Sequence, residues 1–188
     1  MAKQIDLNVL RDTVLANQQS GQMVPTKPSE SILVTKKGEI VQASDVDPIE
    51  RRTFATVQQD TFHGRAEREI ETVRKYMPAN TQSHITEEGI RGWIYTFYCS
   101  FDRPYTMFAY FDGSFYQVVV VSPIVEERFC NEHTGHIYRD GRICMGYDCN
   151  SGRRTLEDAY AKSVLWATGM SSMLLSGNTT FPFSINNL

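Results

Sequence analysis

The chain has 188 residues, of which 41% are hydrophobic and 22% charged, proportions of a soluble globular protein large enough for one domain with an appendage. A formal net charge of −3 and a pI near 5.8 leave no basic excess, so neither nucleic acid nor an acidic membrane surface is an expected partner. No apolar run approaches the roughly 18 residues of a membrane span, and Met1-Ala2-Lys3-Gln4-Ile5-Asp6 lacks a leader's apolar region, so a cytoplasmic location is expected.

Residues 4–18 place Ile5, Leu7, Val9, Leu10, Val14 and Leu15 at helix-like spacings, ahead of the polar stretch 17–22, which predicts a helix. Pro25 and Pro28 mark a linker. Residues 31–43 hold two short β-prone runs on either side of Lys36-Lys37-Gly38-Glu39, the pattern of a hairpin. The pattern then breaks off. Residues 1–60 therefore read as an N-terminal extension of helix, linker and hairpin, and residues 61–188 as the core domain.

Within the core, Ala66, Ile70, Val73 and Met77 recur at spacings of four, three and four, one apolar stripe of a helix over 65–77. Glu71 and Lys75 are placed to pair on its wet face, and Pro78 ends it. From Gly89 the texture changes to aromatic and β-branched runs at Trp93–Tyr98, Thr106–Phe111 and Phe115–Val121. Short connections rich in turn residues join them, so consecutive antiparallel strands are predicted. An irregular stretch follows Pro123, from 126 to 150. A second helix is predicted over 155–175, with Thr155 as its N-cap, Glu157 and Asp158 in the first turn, and Gly177 at the stop. Beyond Lys162 it is apolar around most of its circumference (Val164, Leu165, Trp166, Met170, Met173, Leu174, Leu175), the mark of a buried helix. The expected class is α+β, an antiparallel meander flanked by helices.

The irregular stretch contains Thr134-Gly135-His136-Ile137-Tyr138-Arg139-Asp140-Gly141-Arg142-Ile143-Cys144. A polar turn, Arg139-Asp140-Gly141, delivers Ile143 and then Cys144, with His136 eight positions upstream. A cysteine just beyond a tight turn is expected at a surface, where its thiolate can act as a nucleophile. The four cysteines (Cys99, Cys130, Cys144, Cys149) are unevenly spaced, so free thiols are expected in place of a disulfide framework. Cys149 reads as an ordinary thiol or as a partner for Cys144 in a regulatory disulfide. Asp148 and Asp158 read as solvated acids or as groups that orient an incoming amine. A different class of reading takes Cys130, His133 and His136, with Cys144 or Cys149, as the ligands of a structural zinc domain.

The order helix, meander, irregular segment with cysteine, buried helix resembles the core of ubiquitin-conjugating enzymes over roughly residues 60–180. That family carries His-Pro-Asn, a short turn and then Gly-x-Ile-Cys-Leu around its active cysteine. With Cys144 on that cysteine, Thr134-Gly135-His136 falls on His-Pro-Asn, while Ile137, Tyr138, Asp140, Gly141 and Ile143 fit the pattern and Met145 replaces Leu. The family's proline-rich stretch is reduced to Pro123, no Trp stands between Cys144 and the helix, and the family's last two helices have no counterpart before residue 188. This divergent form resembles the bacterial members, found in ubiquitin-like conjugation or antiphage defence operons. The resemblance implies an acyltransferase that carries the C-terminus of a ubiquitin-like protein as a thioester on Cys144. A ThiF-like activating enzyme would supply it, and an amine of a target protein would receive it. No cofactor or metal is implied at this step. His136 occupies the family's Asn position, linked to the tetrahedral oxyanion, where its N–H can donate or its imidazole can take a proton from the amine.

Overall fold

Asp6 begins the fold: its Oδ1 accepts the backbone N–H groups of Asn8 at 2.9 Å and Val9 at 3.3 Å, capping α1, Leu7–Gln19. The computed structural model describes residues 5–19, 32–34, 40–42, 62–146 and 152–182. Of the predicted hairpin, β1 (Ile32–Val34) and β2 (Ile40–Gln42) pair antiparallel with Leu33 opposite Val41. The linker prolines and the hairpin's connection lie outside the described residues.

The helix α2, Phe62–Tyr76, stops two residues before Pro78. Its predicted stripe is only partly covered: Met77 is buried, whereas Ile70 is 42% exposed. Lys75 places its ammonium 4.9 Å from the Tyr76 ring centroid, and Arg65 pairs with Glu69 at 3.4 Å. Glu69 also accepts hydrogen bonds from Trp93 Nε1 (3.0 Å) and the Tyr116 hydroxyl (2.7 Å), which fasten α2 to the sheet.

The sheet runs β3 (Gln82–Ile85), β4 (Arg91–Tyr98), β5 (Pro104–Phe111) and β6 (Tyr116–Ser122) in that spatial order, each pair antiparallel. The three predicted strands are there; β3 is an additional edge strand whose Gln-Ser-His-Ile sequence, mostly exposed, has little alternation to detect. Opposite Thr96 and Thr106 share a buried hydroxyl bond of 3.0 Å.

Both faces of the sheet are covered, which is why β6 reads as an unbroken run, Val118 to Val121, in place of a clean alternation. On one face Tyr95, Phe97, Tyr105, Met107, Val118 and Val120 pack with Tyr160, Trp166, Met170 and Met173 of α3, Leu156–Ser176. Buried hydroxyls there are matched across the interface, Tyr95 to Ser163 and Tyr105 to Ser171, each at 2.8 Å. On the other face Leu10 and Val14 of α1 pack with Ile94, Phe108 and Val121. Arg11 Nε donates to the Val121 carbonyl at 2.9 Å and the Asp6 N–H to Glu88 at 3.0 Å, tying α1 to the sheet at two points.

The helix α3 has the predicted ends: Thr155 Oγ1 accepts the Asp158 N–H at 3.1 Å, and Gly177 adopts a left-handed φ of 67°. It is buried over most of its length, although Leu175, expected inside, is 62% exposed in the last turn. Among the described residues the fold is thus α+β, a four-stranded antiparallel sheet and the two-stranded hairpin with three helices.

Candidate functional site

After β6 the chain continues through residues 123–146 in a segment held mostly by its own backbone. After one 3₁₀ turn, Glu127–Phe129, the Asn131 side chain accepts the N–H groups of His133 and Thr134, and its carbonyl accepts that of Gly135. Gly135 lies so close to the Phe129 carbonyl that a Cβ there would overlap it. The Gly135 carbonyl in turn accepts Trp166 Nε1 of α3 at 2.8 Å. Glycine is needed here for close approach.

The predicted turn follows. Tyr138 N–H donates to the Arg142 carbonyl at 2.8 Å and Gly141 N–H to the Tyr138 carbonyl at 3.0 Å, with Gly141 at a φ of 77°. Asp140 fixes it by accepting Arg142 Nε at 2.7 Å and the Arg142 N–H at 3.1 Å. Ile137 bridges Ile143 antiparallel. The returning arm docks on β6, Ile143 N–H to the Val118 carbonyl and Val120 N–H to the Gly141 carbonyl, both at 2.9 Å. Leu7 of α1 packs on the outside of the turn, where a Cβ on Gly141 would meet it at 2.7 Å. Leu7, Arg11, Cys130, Ile137 and Arg139 line a cavity of about 280 Å³ between α1 and this segment.

Cys144 is not at the surface, as the turn led us to expect; it is 4% exposed. Docking on β6 carries Ile143, Cys144 and Met145 inward together, all buried. The Cys144 N–H donates to the His136 carbonyl at 2.8 Å, so the segment's two predicted site residues are joined through the main chain. The sulfur lies 3.9 Å from the Gly146 carbonyl.

A charged group that sequence reading did not select is buried in α3. Lys162 projects from α3 and is only 3% exposed. Burial pushes its ammonium down from 10.5 to about 7, and the charge of Arg153 pushes the same way, against Asp158 and Cys144. Arg153 is brought there by backbone bonds to Tyr116 of 2.7 and 2.9 Å; Gly152 permits them, since a Cβ would overlap the Tyr116 carbonyl. Burial likewise lowers the Arg153 guanidinium, with Asp158 opposing. The charge of Asp158 acts on both Arg153 and Lys162. A signal for Lys162 exists in the sequence, because it lies four residues before Trp166 on the buried side of an apolar helix.

His136 has a left-handed φ of 49°, rare for a residue other than glycine. Its ring packs edge-on against Phe181, with centroids 4.9 Å apart and planes at 82°. Its Nδ1 is buried without a hydrogen-bond partner among the described residues. Burial first, and His133 second, hold its pKa below 6.5, so the imidazole is neutral at pH 7 and one ring nitrogen carries a proton to donate.

The zinc ligand set is not brought together among the described residues, where no three His, Cys, Asp or Glu side chains converge. Cys130 faces the carbonyls of Val125 and Glu126, and His133 is exposed beside Glu132. Cys99, Cys130 and Cys144 are free thiols, while Asp148 and Cys149 lie outside the described residues. No protein-family model matches the chain, and none of the curated proteins or solved structures matches it.

Proposed function

We propose that the protein is a ubiquitin-conjugating-like acyltransferase that carries a ubiquitin-like modifier on Cys144. In the first step the Cys144 thiolate attacks the thioester carbonyl presented by a ThiF-like activating enzyme. A new C–S bond forms and the activating enzyme's thiolate leaves. In the second step a target amine attacks the Cys144 thioester, a C–N bond forms, the C–S bond breaks with Cys144 departing as thiolate, and the amine's proton passes to solvent water. Both steps pass through a tetrahedral oxyanion, for which the neutral imidazole of His136 is the donor. The modifier and its activating enzyme supply the energy, so Cys144 needs no cofactor.

The observation that carries this reading is the topological address of Cys144. A helix and a four-stranded antiparallel meander precede it, a hydrogen-bonded turn docked on the last strand delivers it, and a buried helix backs it. That order supports the resemblance drawn from the motif. The 4% exposure of Cys144 favours one rival, a non-catalytic scaffold with a structural thiol. Transfer requires the sulfur to be uncovered when the activating enzyme docks.

The test combines the protein with candidate activating enzyme, modifier and ATP. A thiol-sensitive adduct that is absent from Cys144→Ala is the expected result. With the native partners, no adduct, or an adduct that persists in Cys144→Ala, overturns the reading. His136→Ala retains folding and slows transfer to lysine about 100-fold, the usual effect of removing one oxyanion donor; unchanged transfer removes His136 from the mechanism.

A further inference from the structure

Three arginines of this fold meet carboxylates: Arg65 pairs with Glu69, Arg128 with Glu126 and Arg142 with Asp140. Two others do not. Arg11 on α1 has its Nε held by the Val121 carbonyl at 2.9 Å, and its terminal nitrogens make no hydrogen bond or ion pair among the described residues. Arg139, in the turn before Cys144, makes none through any of its nitrogens among the same residues. Far apart in sequence, both line the cavity of about 280 Å³ between α1 and the segment 123–146. Its wall includes Leu7, Val120, Val125 and Ile137, of which Val120 and Ile137 are 1% exposed. An apolar concavity with a few convergent polar groups is how small-molecule sites are built. Such sites run upward from about 300 Å³, so an occupant of this one is small. Glu127 also lines the cavity and is exposed; two guanidiniums against one carboxylate leave a single positive charge in excess. Cys130 completes the lining. Burial and then Glu127 push its thiol up, against Arg139 and Arg11, so at pH 7 it is a neutral part of the wall.

We propose that this cavity binds a small monocarboxylate with a short apolar chain, its carboxylate taken by Arg11 and Arg139 and its chain lying on Leu7, Val120, Val125 and Ile137. A carboxylate suits two guanidiniums because their planar N–H forks match its two oxygens. A single negative charge suits the site because Glu127 opposes a second one. The apolar chain gains by leaving water for the valine, leucine and isoleucine wall, and no covalent bond forms or breaks. One guanidinium comes from α1 and the other from the turn, so the ligand ties the N-terminal helix to the segment that carries Cys144. Binding therefore stabilises the fold by mass action. The inference is independent of any activity at Cys144.

The experiment titrates the full chain with hexanoate, hexan-1-ol and hexylamine, read from backbone amide resonances by NMR. Hexanoate should move the amides of Leu7, Cys130 and Gly141 along one saturable curve, with a Kd of about 1 mM or tighter. The alcohol and the amine should bind at least about 10-fold more weakly, since neither offers an anion to the guanidiniums. The thermal midpoint should rise with hexanoate concentration. Arg139→Gln, a change at an exposed position, should weaken hexanoate about 10-fold. Glu127→Gln should tighten it at least about twofold by removing the opposing charge, while Arg128→Gln, outside the lining, should leave it unchanged. No saturable shift at these amides, or hexan-1-ol binding as well as hexanoate, overturns the proposal. So does an affinity that Arg139→Gln leaves unchanged. If Arg139→Gln disturbs the whole spectrum, Glu127→Gln decides, and binding that is unchanged or weaker there refutes the assignment. A peptide ending in leucine that binds this cavity where free hexanoate does not overturns it in favour of a protein partner.

Discussion

Replacing Lys162 by Met keeps the length of the side chain and removes a charge held almost entirely inside the protein. Burial sets the folded-state pKa of this group at about 7, against an ordinary value of 10.5. Between those values the unfolded chain binds a proton that the folded chain does not. Wild-type stability therefore rises as pH climbs from about 7 toward 10.5, and this contribution is lost as pH falls back to 7. At about 1.4 kcal/mol per pH unit, the interval sets a ceiling of about 5 kcal/mol. Asp158 and Cys144 oppose the displacement, and partial hydration of the ammonium screens it further, so the expected size is about 2 kcal/mol. Lys162→Met should thus be more stable than wild type by about 2 kcal/mol at pH 7, the advantage shrinking as pH rises. Urea denaturation of both proteins at several values between about pH 7 and about pH 9 measures this directly. A Met variant less stable at every pH, or a difference independent of pH, refutes the argument that burial disfavours the ammonium.

Leu10→Ala should destabilise the whole domain by about 3 kcal/mol in chemical denaturation, because Leu10 is buried with Ile94, Phe108 and Val121; a negligible loss would mean that α1 does not stabilise the sheet. Gly135→Ala should lose about 3 kcal/mol or more, since its methyl group overlaps the Phe129 carbonyl, and the Trp166–Gly135 hydrogen bond should be disturbed in the indole N–H spectrum. His136 should titrate by NMR below 6.5, the direction set by burial and His133. The folded state then disfavours imidazolium, and the stability this group contributes is lost as pH falls from 6.5 through its folded value. A His136 midpoint above 6.5 would contradict the buried, Phe181-packed ring.

Much of the architecture was legible because it is written in local chemistry. The ends of α3 follow from a threonine that can accept an N–H and a glycine that can turn left-handed. The turn before Cys144 follows from Asp140 and Gly141, and three of the four sheet strands follow from their β-branched and aromatic runs. The strand β3 escaped because an exposed edge strand needs no apolar alternation. Glu71 and Lys75 had the right spacing, yet Lys75 lies over Tyr76 and the helix pairs Arg65 with Glu69 instead.

The candidate site divides along the same line. From sequence alone came the α+β class, the antiparallel meander, the buried helix and the turn that brings Ile143 and Cys144 back toward the strands, since each depends on neighbours a few residues away. Tertiary structure alone decided that Cys144 faces inward, that α1 covers the far face of the sheet, and that Lys162 is buried within reach of the charges of Arg153 and Asp158. Burial and charge are properties of a place, and that place exists only where segments far apart in the chain cross. Lys162 loses most of its ordinary hold on a proton only when α3 is packed into the folded domain.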